Sequence, residues 1–308
     1  MTLLVRIALM IEGQEDVTWE DWVALADACE RSGVGALFRS DHYVSVFGAG
    51  EHGSLDAWGT ICALAARTST LRLGTMVSPA SFRHPSVLAK LAVTADHVSG
   101  GRISLGLGTG WSEIEHTANG FAFRSMKERM DVLEEQLEII HDGHFKPGPF
   151  SFSGTYYELS DLQARPQPVQ QPHLPLIMGG AAGPRAARLA ARYADEYNTV
   201  MPTIDEIVER KAGIDAACRK AGREPIAFTV MSTCVIGADE AGYATRAAAF
   251  KALTGEAPNA ETGVAGTIEQ AKARLAEWEE VGVSGVYLQH LLHRDTAMVE
   301  LIGAGLCG

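Results

Sequence analysis

The chain has 308 residues, 46% hydrophobic and 21% charged, with no low-complexity tract, which suits a globular protein with a large core. Its 38 acidic and 26 basic side chains give a formal net charge of -12 and no Lys/Arg-rich block, which argues against nucleic acid as a partner but leaves room for an anionic cofactor. No apolar run reaches the roughly 18 residues of a membrane span, and five scattered cysteines without a C-x-x-C read as reduced thiols of a cytoplasmic protein.

Residues 5–11 read as the first strand; the stretch holds Arg6 and lacks a basic n-region and cleavage motif, so it is not a signal peptide. Thr18, with Asp21 three residues on, opens a helix striped by Trp22, Leu25, Ala26 and Cys29 and closed by Gly33. Strand two, 36–38, runs into a polar cluster at 39–43. Ser54 is expected to cap a helix to residue 66. Strand three covers 72–78, and Pro85 suits the first turn of a helix over 86–98. Ile103, Leu105 and Leu107 alternate with small residues in strand four, which ends in Gly108-Thr109-Gly110, where missing β-carbons admit a ligand close to the backbone. A loop with Trp111, Glu113, Glu115 and His116 follows, then a helix over 125–141 with a core stripe at 4-3-4-3 spacing.

Residues 144–172 break the rhythm. Five prolines punctuate short aromatic segments, predicting a hairpin and a long excursion: a lid, a cofactor cover or a surface decoration. Strands at 174–178, 196–200, 226–236 and 286–289 then alternate with helices to 193 and over 203–221, 240–253, 267–281 and 295–302; a Gly/Pro-rich loop occupies 254–266. Eight such units without a composition break predict one α/β domain over the whole chain, a (β/α)8 TIM barrel with the 144–172 insertion after the fourth βα unit. A doubly wound sheet is disfavoured because the first βα turn lacks G-x-G-x-x-G.

A barrel gathers the strand ends at its C-terminal mouth: Asp41 and His42 from strand two, Met76, Val77 and Ser78 from strand three, Thr109 and Gly110 from strand four, Gly179 and Gly180 from strand five. His42 has the pKa for proton transfer. Residues 179–185 combine close backbone approach, a helix N-terminus and the Arg185 guanidinium, an anion site suited to phosphate. No metal site is expected, since no carboxylate or cysteine completes a set with His290 and His293.

On Ser40-Asp41-His42, Arg72-Leu73-Gly74-Thr75, Phe82-Arg83-His84-Pro85, and the runs 91–101, 105–115 and 177–195, the chain resembles the luciferase-like monooxygenase superfamily, and within it the branch using the deazaflavin coenzyme F420. The resemblance implies a cofactor ring in the mouth, contacted by Asp41 and His42, with His42 as proton donor. Met76 and Val77 match a strand bulge where the family often has a non-prolyl cis peptide. Thr109 and Gly110 would lie along the ribityl chain, and Gly179 and Gly180 would hold the phosphate, with Gly183 and Arg185 nearby. Sugar-phosphate dehydrogenases of the family carry an essential glutamate where this chain has Trp111, which argues against their reaction and leaves Glu113 as the second catalytic candidate beside His42, with Glu115 close by. Tyr43, Phe47 and Trp111 are expected to cap a pocket for a flat or apolar substrate. The implied activity is hydride transfer between the deazaflavin and a small organic molecule, reducing an activated C=C, C=N or C=O bond in a homodimer. An FMN-dependent monooxygenase served by a reductase, and a catalytically silent flavin-binding barrel, are the alternatives.

Overall fold

The computed structural model describes residues 4–45 and 52–307. In chain order the elements are β1 (Arg6–Ile11), α1 (Trp19–Ser32), β2 (Ala36–Arg39), α2 (Ala57–Arg67), β3 (Arg72–Thr75), β4 (Ser78–Pro79), α3 (Pro85–Ser99), β5 (Ile103–Gly108), α4 (Glu113–Asn119) and α5 (Met126–Glu138). A π-helical turn (Ile139–His144) extends α5, and β6 (Pro149–Ser153), β7 (Glu158–Gln163), β8 (Leu176–Gly179), α6 (Pro184–Tyr193), β9 (Glu196–Val200) and α7 (Ile204–Lys220) follow. The last third holds β10 (Ala227–Gly237), α8 (Glu240–Thr254), β11 (Val264–Thr267), α9 (Ile268–Glu280), β12 (Gly285–Gln289) and α10 (Thr296–Leu306).

Parallel pairing runs β1–β2–β3–β5–β8–β9–β10–β12 and returns to β1, so eight parallel strands close a barrel inside a ring of helices. The third strand is split: β3 pairs with the start of β5 and β4 with its end, around a cis peptide at Met76–Val77. β11 adds to the outer half of β10, inside the stretch expected to be a loop. β6 and β7 form the expected antiparallel hairpin. Among the described residues, no helix is long and apolar enough to cross a membrane.

Side-chain alternation explains what each end of the barrel contains. On β1, Leu9 and Ile11 point out to the helices, whereas Ala8 and Met10 join Phe38, Met76, Ile177, Met231 and Tyr287 in an interior plug. The inward parity carries Arg6, Glu196 and Tyr287 to the N-terminal end, where Arg6 and Tyr287 both bind Glu196 at 2.7 Å. The same parity brings Glu12, Ser40, Asn198 and Gln289 to the mouth above the plug. A methyl group at Gly106 would lie 2.0 Å from the Thr75 carbonyl, so strands three and four meet there without room for a side chain.

Helix ends follow local chemistry, with two departures from expectation. Thr18 and Asp21 form the expected capping box, and Gly33 closes α1 at φ 85°. Asp56, not Ser54, caps α2, because its carboxylate accepts the Gly59 N–H at 2.8 Å while the Ser54 hydroxyl accepts from buried Arg39. The loop expected after strand four is in part a helix: Ser112 caps α4, and Gly120 ends it at φ 72°.

Candidate active site

At the mouth a cleft of about 440 Å³ opens between the ends of β1, β2, β5, β8, β9 and β12. That volume falls in the range of small-molecule sites. Met76, Val77 and Pro79 form one apolar wall; Val200, Met201 and Met231 form another. Thr109, Gly110, Gly179 and Gly180 form the glycine-lined side. Gly180 has φ 145°, which disfavours any other residue. Open space beside bare backbone between apolar walls is a shape that fits a flat ring system with a polar chain.

His42 lines this cleft, and its tautomer is set from behind. The Nδ1–H donates to Glu115 Oε2 at 2.7 Å, leaving Nε2 as the free ring nitrogen. Glu115 is 1% exposed, and its other oxygen accepts the backbone N–H groups of Tyr43 and Val44. Burial alone would lower the His42 pKa. The hydrogen bond and negative charge of Glu115, aided by the charges of Glu12 and Asp41, outweigh it and raise the pKa above the ordinary value. Trp111, 63% exposed, meets the His42 ring edge-on at 5.7 Å on the rim.

The remaining sequence candidates divide. Met76, Val77, Thr109, Gly110, Trp111, Gly179 and Gly180 join His42 around the cleft. Asp41 does not present its carboxylate there: Ser78 Oγ donates to it at 2.6 Å and Arg83 at 2.6 Å, in a pair buried behind the wall. Ser78 is thereby turned away too. Tyr43 stacks on Phe82 at 5.3 Å and bonds Asp56 and Arg83 outside the cleft. Glu113 is exposed in the first turn of α4 and makes no contact with His42; Glu115, two residues on, occupies that position. Phe47 lies outside the described residues.

The anion site is also arranged differently from the expectation. The Gly180 N–H is committed to the Asn198 carbonyl at 3.0 Å, and the Ala182 N–H to Tyr197 Oη at 2.9 Å. Arg185 turns to α5, where Asp131 at 2.6 Å and Glu134 at 2.8 Å hold it. What stays available is the first turn of α6, whose N-cap Gly183 supplies no side-chain bond. Two other guanidiniums went unnoticed in the sequence. Arg124 and Arg129 flank a pocket of about 150 Å³ that shares Thr109 with the cleft and is covered by Tyr156 and Tyr157 of the hairpin turn. Arg124 lies over the Tyr156 ring at 5.3 Å; Arg129 lies over Phe123 at 4.3 Å, donates to the Gly110 carbonyl, and leaves a buried Nε unpartnered. Neither forms an ion pair among the described residues, and only their convergence in space distinguishes them from the other arginines.

The luciferase-like monooxygenase family model matches residues 1–280. An FMNH(2)-dependent dimethylsulfone monooxygenase of Pseudomonas putida is 28% identical over 91% of this chain and 75% of its own length. An F420-dependent hydroxymycolic acid dehydrogenase of Mycobacterium tuberculosis is 30% identical over 86% of this chain and 73% of its own. Among solved structures, an F420-dependent secondary alcohol dehydrogenase bound to an F420-acetone adduct superposes with a TM-score of 0.82 at 18% identity, covering 99% of this chain and 98% of that one. At that identity the likeness speaks for the fold.

Proposed function

Because the chain belongs to the luciferase-like monooxygenase family, we propose that it is an oxidoreductase whose cleft holds the deazaflavin F420 and a small organic substrate. The observation that carries this reading is His42, with Nδ1 tied to buried Glu115 and Nε2 on the cleft. A deazaflavin has carbon where a flavin has N5, so when bound it supplies hydride chemistry with little reaction toward oxygen. The residues supply the rest. The apolar walls and Trp111 exclude water and orient a flat substrate. His42 Nε2 delivers a proton to the substrate atom that gains charge as a C=C, C=N or C=O bond is reduced. Arg124, Arg129 and the first turn of α6 are the cationic and amide groups placed to meet a phosphate and an anionic tail.

A second reading, an FMN-dependent monooxygenase, is favoured by the similarity to the dimethylsulfone enzyme over 91% of the chain. Titrating cofactor-free protein with F420 and with FMN, read by tryptophan quenching, separates the two. F420 is expected to bind at least ~10-fold more tightly, about 1.4 kcal/mol. Equal or tighter binding of FMN, with oxygen consumed when bound flavin is reduced, would establish the monooxygenase instead.

A further inference from the structure

The floor of the cleft carries a chain of polar groups that proton transfer by His42 leaves unused. Glu12 follows β1 on its inward parity, and Gln289 ends β12; both line the cleft and are buried, at 7% and 2% exposure. Glu12 forms no ion pair among the described residues. Its oxygens meet amides: Gln14 Nε2 donates to Oε2 at 2.8 Å and Gln289 Nε2 to Oε1 at 2.5 Å. A carboxylate only accepts, so both amide groups must turn their NH2 toward it. Gln14 Oε1 then accepts from the Ser40 hydroxyl at 2.5 Å, and Ser40 Oγ accepts the Gly13 N–H at 3.0 Å. The direction of every bond is thereby fixed. At the far end Gln289 Oε1 is left buried and without a partner among the described residues. Flipping that amide would set its carbonyl against the carboxylate and strand its donors instead.

We propose that Gln289 Oε1, oriented by Glu12, is the recognition point for an O–H or N–H donor on the substrate. The substrate class is then an alcohol, an amine or a protonated imine, with no carboxylate or phosphate at that end. A neutral or cationic donor completes the chain and is favoured by the Glu12 charge, while an anion meets both an acceptor and a like charge. The assignment rests on the reading that this cleft is the substrate site.

Three probes sharing one ring test it: cyclohexanol, cyclohexylammonium and cyclohexanecarboxylate, titrated into cofactor-free protein by calorimetry. The first two are expected to bind at least ~10-fold more tightly than the third, the scale of one hydrogen bond or charge contact. Gln289→Leu removes the acceptor at similar volume and should weaken cyclohexanol about tenfold with an unchanged far-UV CD spectrum, while the Glu12 charge still separates ammonium from carboxylate; Gln289→Met serves if that variant is unstable. Glu12→Gln lets the Gln289 amide rotate and should restore binding of the carboxylate. Equal binding of the carboxylate by the native protein, or undiminished binding of the alcohol by both Gln289 variants, would overturn the proposal. F420 titrations of the same proteins separate the failures. If the Gln289 variants lose cofactor affinity about tenfold and leave the probes unmoved, the acceptor serves a ring N–H and the substrate assignment falls while the cofactor reading stands. If native protein binds neither F420 nor FMN, the cofactor reading falls while the probes still report on Gln289.

Discussion

Glu115 acts on two things at once, the tautomer of His42 and the backbone of the loop that carries it. The charged pair also fixes a pH dependence. Since the His42 pKa is raised, the acid form persists above the ordinary histidine value of about 6.5 and is lost as pH rises through the raised value. A step that takes its proton from Nε2 therefore fails on the alkaline side. The pair's contribution to stability has the same sign: full below about 6.5 and lost through the raised folded value. Glu115→Gln keeps a hydrogen-bond acceptor but removes the charge, so the alkaline limb of kcat/KM for substrate reduction should move down by about one pH unit. A limb that stays in place would mean that another group supplies the proton. The neighbouring carboxylate adds only its charge, because Asp41 is held by Arg83 at 2.6 Å and keeps that guanidinium charged.

At the scale of elements, the barrel was legible because its signals are local: strands alternate, capping boxes open helices, and glycines close them. Glu12 and Gln289 reach the mouth by strand parity alone, yet nothing in a single sequence says that a parity position is unpaired. Glu113 and Glu115 show the opposite difficulty. In a loop either carboxylate reaches His42, whereas on α4 residues two apart point to different sides, and only Glu115 faces it. Recognising Ser112 as an N-cap would have narrowed the choice. Arg185 had the right local context beside a helix N-terminus, but α5 brought Asp131 and Glu134 against it from across the fold. Arg124 and Arg129 share a pocket only where the turn of the β6–β7 hairpin brings Tyr156 and Tyr157 against them. Replacing both with Gln should weaken FMN or F420 binding about tenfold at low salt, by a margin that shrinks as salt is added. Riboflavin, which lacks the phosphate, should bind the two proteins equally. Arg185→Gln should leave cofactor affinity within about twofold; a larger loss would return Arg185 to the phosphate site.

For the whole molecule, acid stability depends on a buried histidine that adjoins Gln289 in the chain. His290 is fully buried, hydrogen-bonded through Nε2 to the Asp295 carbonyl at 3.2 Å, with Nδ1 unpartnered. Burial pushes its pKa down to about 4. The unfolded chain protonates this histidine near pH 6.5 and the folded chain does not, so its contribution is intact above about 6.5 and declines as pH falls toward 4. Urea unfolding of His290→Gln should lose about 2 kcal/mol less than the native protein between pH 7 and pH 5. Equal slopes would show that the ring protonates in place. The oriented amides on the cleft floor have a consequence for turnover as a cycle. Glutamine side chains hold hydrogen bonds but do not pass protons along them, and Glu115 is almost wholly enclosed. On the proposed function, a proton reaches His42 through the open mouth, past Trp111. In that reading a substrate seated in the cleft would close this entrance, so each catalytic round would spend a proton loaded beforehand, and the next would be taken up as product departs.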